Sequence, residues 1–190
     1  MTIGITGGIG SGKSYVSQWL ASRFRIPVYD CDREAKRLML KPAMRRALTQ
    51  LVGAEAYQPD GQLNKPFLAA YLFASPDHAA AVNAIVHPAV KRDFIRWAQR
   101  HRGLVAVESA ILVEAGFAEV VDKVIVVEAP LPLRLQRVME RDGATEQQVR
   151  ARIARQITDD ERRRCADLVI VNDGSDFAPQ LTAFIEQLTS

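Results

Sequence analysis

Cysteine is nearly missing from this chain: its 190 residues hold two, Cys31 and Cys165, with no C-x-x-C pair. A disulfide framework and a thiolate zinc site are thereby excluded, and two reduced thiols are expected. Long apolar runs are missing as well. None reaches the ~20 residues that a membrane-spanning helix needs, and no basic stretch followed by an apolar one opens the sequence. A cytoplasmic protein without a membrane partner is expected. Aromatic residues make up only 7% of the chain, and none lies among the arginines of 33–46 or 134–164. The base-stacking platform of a single-strand binder is therefore absent, and no nucleic-acid partner is expected. A large excess of one charge is lacking too: 25 Lys and Arg stand against 22 Asp and Glu, a net charge of +3. There is no internal repeat and no low-complexity linker. With 48% hydrophobic residues, the length suits one compact core carrying small insertions.

Short apolar runs separated by helical patterns are what the chain does contain. Thr2–Thr6, Pro27–Tyr29, Leu104–Val107, Lys123–Val127 and Leu168–Val171 show no polar alternation, as expected of strands buried on both faces. Between the first two, Val16, Trp19, Leu20 and Phe24 recur at helical spacing, which predicts a helix from Lys13 to about Phe24. Strands alternating with helices imply parallel crossovers, hence an α/β sandwich around a five-stranded parallel sheet. Two stretches break the alternation. Residues 33–102 read as a helical insertion, with turns at Pro59-Asp60-Gly61, Ser75-Pro76 and His87-Pro88 and N-caps at Asn64 and Ser75. Residues 131–164 read as a second, a basic helical hairpin with capping boxes at Thr145/Gln148 and Thr158/Glu161. The expected division is a core of 1–32, 103–130 and 165–190, with insertions at 33–102 and 131–164.

Gly7-Gly8-Ile9-Gly10-Ser11-Gly12-Lys13-Ser14 fits G-x-x-x-x-G-K-[ST] between a strand and a helix. Glycines let backbone N–H groups turn around phosphate oxygens, and the helix N-terminus adds positive potential. Gly8, Ile9, Gly10, Ser11, Gly12, Lys13, Ser14 and Tyr15 are the candidate nucleotide-binding residues. Lys13 reaches the β- and γ-phosphates, and Ser14 ligates Mg²⁺. The motif alone does not separate a kinase from a GTPase switch or a motor. A guanine-reading Asn-Lys-x-Asp is missing: Asn64-Lys65-Pro66-Phe67 lacks the Asp.

Ligands of open parallel sheets bind beyond the carboxyl ends of the strands. Asp30, Asp32 and Glu108 fall there. Glu108 ends a Walker B-like run and is a candidate Mg²⁺ ligand. Asp32 is a candidate catalyst and equally a candidate N-cap of the next helix. Arg134, Arg137 and Arg141, three and four apart, share a helix face. A solvated face is one account of them. A cover that brings arginine to the transferred phosphoryl group is the other, with Arg137 and Arg141 the candidates and the remaining arginines serving solubility. His87, before Pro88, also reads as a structural cap.

Taken in order, these segments resemble the dephospho-coenzyme A kinases. The resemblance is carried by Thr6 to Ser14, by Asp30-Cys31-Asp32, by Asp60-Gly61-Gln62-Leu63-Asn64-Lys65, by His87-Pro88 and by Ala110-Ile111-Leu112-Val113-Glu114. It continues through Arg137-Val138-Met139-Glu140-Arg141-Asp142, Gln156, Ala166-Asp167 and Val171-Asn172-Asp173-Gly174. Cys31 stands where alanine is usual, Ala110 replaces the usual proline, and Lys65 stands where arginine is frequent. The resemblance implies a P-loop kinase that moves phosphate from ATP to the ribose 3′-hydroxyl of dephospho-coenzyme A. It implies catalytic roles for Lys13, Asp32, Arg137 and Arg141, and a place for Asn172 near the adenine. It puts Asp32, Lys65, His87 and Glu114 on the acceptor, and Ser14 and Glu108 on Mg²⁺. It also implies an acceptor-binding insertion at 33–102, a lid at 131–164, and a monomer or weak homo-oligomer. Kinases of nucleoside monophosphates or shikimate are the nearest alternatives; the long insertion after Asp32 suits a larger acceptor.

Overall fold

The computed structural model describes residues 1–189; Ser190, the last residue of the expected core segment, lies outside them. Five strands form one sheet in the order β2-β3-β1-β4-β5, with the pairs of β1 with β3, β1 with β4 and β4 with β5 all parallel. They are β1 (Thr2–Thr6), β2 (Val28–Asp30), β3 (Val105–Glu108), β4 (Lys123–Glu128) and β5 (Leu168–Val171). Ile3, Ile5, Ala106, Ile125, Val127 and Ile170 are buried together with Val16 and Leu20 of α1 (Lys13–Phe24) and Leu181 and Ile185 of α9 (Ala178–Thr189). Burial on both faces explains why the strands show no polar alternation. The fold is an α/β sandwich around a five-stranded sheet.

Two strands are shifted by one residue from their expected positions. Pro27 has no N–H for the ladder and stays outside β2, offering only its carbonyl to the Ala106 N–H at 2.9 Å. On β3 the shift places Glu108 in the last strand position, level with Ile5 of β1.

The chain divides into two compact units, Met1–Tyr29 with Ala98–Ser190, and Asp30–Trp97. The second holds α2 (Cys31–Met39), α3 (Pro42–Val52), α4 (Lys65–Ala74) and α5 (Pro76–Ala98). Asn64 caps α4 by accepting from the Phe67 N–H, and the Ser75 hydroxyl accepts from the Asp77 N–H at the start of α5. The Pro59-Asp60-Gly61 turn closes a small hairpin that bridges Tyr57 to Leu63. The expected break at His87-Pro88 does not occur: α5 runs through Pro88 without interruption. A helix-interior proline costs about 3 kcal/mol. Val82, Val86, Val90 and Phe94, all buried and four residues apart, continue one apolar face across it. Burial of that face outweighs the missing hydrogen bond.

The basic stretch is not a two-helix hairpin. It forms three helices, α6 (Leu131–Asp142), α7 (Glu146–Ile153) and α8 (Asp159–Arg163). Both capping boxes are present, at the starts of α7 and α8. Leu135 and Val138 of α6 and Val149 of α7 form a small core against which Ile9 packs.

The sheet has no room at Gly4. A Cβ there would stand 2.7 Å from Leu112 Cδ1 and 3.2 Å from Val121 Cγ2, and Leu112 is fully buried. Gly4→Ala is therefore expected to lower stability by roughly 1–3 kcal/mol, the cost of overpacking. Thermal denaturation checks it: an unchanged Tm would contradict this packing.

Candidate active site

The loop between β1 and α1 spans six residues, Gly7 to Gly12. Each carbonyl from Gly8 to Gly12 meets a donor. Gly8 O accepts from the Ser11 N–H at 3.0 Å, and Gly12 O from the Tyr15 and Val16 N–H groups at 3.0 and 3.2 Å. Ile9 O accepts from Arg134 Nε at 2.9 Å. Gly10 O is approached by Arg137 Nη1 at 3.4 Å. Ser11 O accepts from Asn172 Nδ2 at 2.9 Å and lies 3.4 Å from Arg137 Nη1. Two glycines are needed for this. Gly12 has φ 90°, and a Cβ on it would fall 2.0 Å from Asn172 Nδ2; a Cβ on Gly8 would fall 2.2 Å from Arg134 Nη2.

With its carbonyls from Gly8 to Gly12 occupied, the loop is shaped as a backbone cradle for an anion. Helix α1 starts at Gly12 with no side-chain cap and no acidic residue in its first turn, so its positive end is left to an incoming negative charge. Lys13 is the first residue of that helix. Ser14 Oγ donates to Glu108 Oε1 at 2.5 Å. A hydroxyl and a carboxylate side by side are hard oxygen donors of the kind that suit Mg²⁺, which takes one or two protein ligands and fills its sphere with phosphate and water. No cluster of three or more His, Cys, Asp or Glu residues suited to a metal is found among the described residues, so an all-protein metal cage is not built here. Tyr15 is exposed and its ring meets Phe177 edge-on at 5.8 Å.

The arginines of 134–164 divide into two kinds. Arg141 is 62% exposed and pairs with its neighbour Asp142, which also receives Arg152 at 2.6 Å. The hydrogen bond from Arg141, then that from Arg152, holds the Asp142 carboxyl well below the usual carboxylate range. Arg134 and Arg162 are 4% and 1% exposed, which overturns their expected role in solubility. Both bind Asp159 at 2.9 Å. Arg134 shares the buried face of α6 with Leu135 and Val138. Its position beside an apolar stripe was the available signal. Gln156 Oε1 accepts the Ile9 N–H at 2.8 Å, so both polar groups of the Ile9 backbone are held by side chains from 134–156. Glu114 lies on the turn after β3, where its Oε1 is 3.5 Å from the Ile157 N–H and 4.0 Å from Arg162 Nη2.

In the second unit the N-cap of α2 is Asp30, whose Oδ1 accepts from the Arg33 N–H at 3.0 Å. The cap is therefore not Asp32, which is exposed in the first turn of that helix. Lys65 opens α4 and lines a groove of about 440 Å³ with Lys36, Leu40, Gln58, Gln62, Leu63 and Pro66. His87 lies inside α5 and is half-buried, so it caps nothing.

Residues 1–177 match the family model described as dephospho-CoA kinase, CoaE. The chain belongs to the dephospho-CoA kinase family. It is 46% identical over 187 residues to the dephospho-CoA kinase of Bacteroides fragilis strain YCH46, covering 96% of this chain and 90% of that one. It is 43% identical over 190 residues to that of Porphyromonas gingivalis strain W83, covering 98% and 93%. Among solved structures, TT1252 from Thermus thermophilus aligns with TM-score 0.85 at 35% identity over 100% of this chain and 98% of that one. Dephospho-CoA kinase from Campylobacter jejuni aligns with TM-score 0.71 at 22% identity, covering 98% and 96%. A shikimate kinase from Acinetobacter baumannii, at 18% identity and TM-score 0.59 over 99% and 92%, shares the fold. This dephospho-CoA kinase family member is thus a kinase, and ATP is its phosphoryl donor.

Proposed function

We propose that this chain transfers the γ-phosphoryl group of ATP to the ribose 3′-hydroxyl of dephospho-coenzyme A, giving ADP and coenzyme A in the final step of coenzyme A biosynthesis. The observation that carries this reading is the phosphate loop whose carbonyls at Ile9, Gly10 and Ser11 are engaged by Arg134, Arg137 and Asn172, in a chain that matches the family from residue 1 to 177. In the reaction the hydroxyl oxygen bonds to the γ-phosphorus, the bond from that phosphorus to the bridging oxygen of ADP breaks, and the hydroxyl proton leaves. Lys13 and the loop residues Gly8–Tyr15 hold the phosphates, the amides of Ile9, Ser11 and Tyr15 being already bound to Gln156, Gly8 and Gly12. Ser14 and Glu108 are the residues that would hold Mg²⁺, which would neutralise β- and γ-phosphate charge. Asn172 lies near the adenine as well as bracing Ser11.

Asp32 accepts the hydroxyl's hydrogen bond and then its proton, and fixes the line of attack. Its exposure and its release from capping leave its carboxylate available for that task. Arg137 and Arg141 neutralise charge on the moving phosphoryl group. Arg141 gives up only an exposed pair with Asp142, worth about 0–1 kcal/mol, so exchanging it for phosphate costs little. Residues 131–164 act as the lid. Residues 33–102 bind the acceptor, with Lys65 and His87; Glu114 is a further acceptor-binding residue. A groove with Lys36 and Lys65 at a part-apolar wall suits an acceptor that is both anionic and long. The enzyme works in the cytoplasm as a monomer or weak homo-oligomer.

Acceptor dependence tests the reading. ADP release from Mg-ATP is measured with dephospho-coenzyme A, AMP, CMP, shikimate and no acceptor. Dephospho-coenzyme A should give the fastest turnover; faster turnover with AMP or shikimate would reassign the acceptor. Asp32→Asn should lower kcat by roughly 10²–10⁴-fold, the range of a positioned proton acceptor. Because Asp30 supplies the cap, that variant should keep its Tm and its ATP affinity. Wild-type turnover in it would remove Asp32 from the chemistry.

A further inference from the structure

Arg162 is the most deeply buried charged side chain described, at 1% exposure, and two of its donors, Nε and Nη2, have no hydrogen-bond partner. A guanidinium does not lose its charge in a protein, so these donors cannot be silenced by deprotonation. Leaving them unmet in a site without water is costly. The third nitrogen, Nη1, is bound to Asp159 Oδ1 at 2.9 Å.

The two unmet donors belong to one edge of the guanidinium, the edge that takes a carboxylate side-on through two parallel hydrogen bonds. One carboxylate is close: Glu114 Oε1 is 4.0 Å from Nη2. It is held elsewhere only by the Ile157 N–H at 3.5 Å, the outer limit of a hydrogen bond. The backbone under Glu114 is firm. Ser109 N–H bonds to Ile5 O at 3.0 Å, Ala115 N–H to Ile111 O at 2.8 Å, and Leu112 and Phe117 are buried on either side. A move of about 1 Å by the side chain alone brings Oε1 within hydrogen-bond reach of Nη2, the first bond of the fork. A carboxylate offers about four lone-pair sites and the fork uses two, so two remain for donors on another molecule.

We propose that Arg162 is a positioning residue whose Nε–Nη2 edge seats the Glu114 carboxylate and orients its remaining lone pairs toward the acceptor; this rests on the assignment of Glu114 to the acceptor. The other end of the same guanidinium is fixed. Asp159 joins Arg162 Nη1 to Arg134 Nη1, and Arg134 Nε binds the Ile9 carbonyl of the phosphate loop. Four alternating charges, Glu114, Arg162, Asp159 and Arg134, thus connect the carboxylate assigned to the acceptor to the loop that holds the donor.

Steady-state kinetics of Glu114→Gln, Arg162→Met and the double variant test this, with KM for dephospho-coenzyme A, KM for ATP, kcat and Tm measured for each. Both single variants should raise the acceptor KM about tenfold while kcat and the ATP KM move less than about threefold, and the double variant should be no worse than either single one. Arg162→Lys keeps a charge for Asp159 but has no planar fork, so it should show the same split in milder form. It carries the test if Arg162→Met does not fold. An acceptor KM raised by Glu114→Gln but left alone by both Arg162 variants would overturn the positioning role and leave the acceptor assignment standing. An acceptor KM untouched by Glu114→Gln would overturn both. Arg162 variants that lose only Tm, or effects that multiply in the double variant to about a hundredfold, would also overturn it.

Discussion

The carbonyls of the phosphate loop must each find a donor, and that requirement shapes much of this molecule. Buried backbone groups are almost never left unpaired. Here the partners for Ile9 and Ser11 come from residues 125 and 161 positions away in the chain, Arg134 and Asn172. Arg134 reaches the loop only by being buried, at the expense of its hydration. Asp159 on one side and the Ile9 carbonyl on the other offset that loss. The glycines at 8 and 12 follow from the same demand, because the guanidinium and the amide occupy the space a Cβ would need.

The sheet order makes these long-range partners neighbours. β1, β4 and β5 lie side by side, so the loop after β1, the segment after β4 and the residue after β5 emerge at one edge. Asn172 N–H bonds to the Glu128 carbonyl at 2.8 Å, which carries the ladder one residue past β5 and sets the side chain below Ser11. Glu128 in turn receives Arg163 through two hydrogen bonds, 2.7 and 2.5 Å, and so fastens α8 to the end of β4. Ile9 adds an apolar tie by packing with Leu135, Val138 and Val149. The segment 131–164 is thereby attached to the phosphate loop through backbone, side chain and charge.

Much of this was legible from residue order, and the parts that were not share a physical cause. The strands, the helix from Lys13 and the capping boxes at Thr145 and Thr158 are local matters of apolar continuity, period and hydrogen-bonding chemistry, and all stand within one residue of where they were expected. The continuity of α5 through Pro88 was hidden, because a proline's local penalty is visible in a sequence while the burial that outweighs it is not. Asp30 and Asp32 compete for one cap, and the choice depends on where β2 ends, a one-residue matter. The site's deepest arginines were misread for a related reason. Charge reads as solvent exposure until a second charge and a backbone carbonyl are brought to it from distant segments, as happens to Arg134 and Arg162.

Donors outside the loop create its affinity for phosphate by holding the carbonyls of Ile9, Gly10 and Ser11. Titration calorimetry of Mg-ATP against Arg134→Met tests it most directly, since the substitution keeps the packing stem and removes the donor to Ile9 while Asp159 retains Arg162. The expected Kd is at least about tenfold weaker, some 1.4 kcal/mol, in a protein that still unfolds cooperatively. A Kd within about twofold of the wild-type value, a difference of less than about 0.5 kcal/mol, would show that the loop keeps its shape and its affinity without that support.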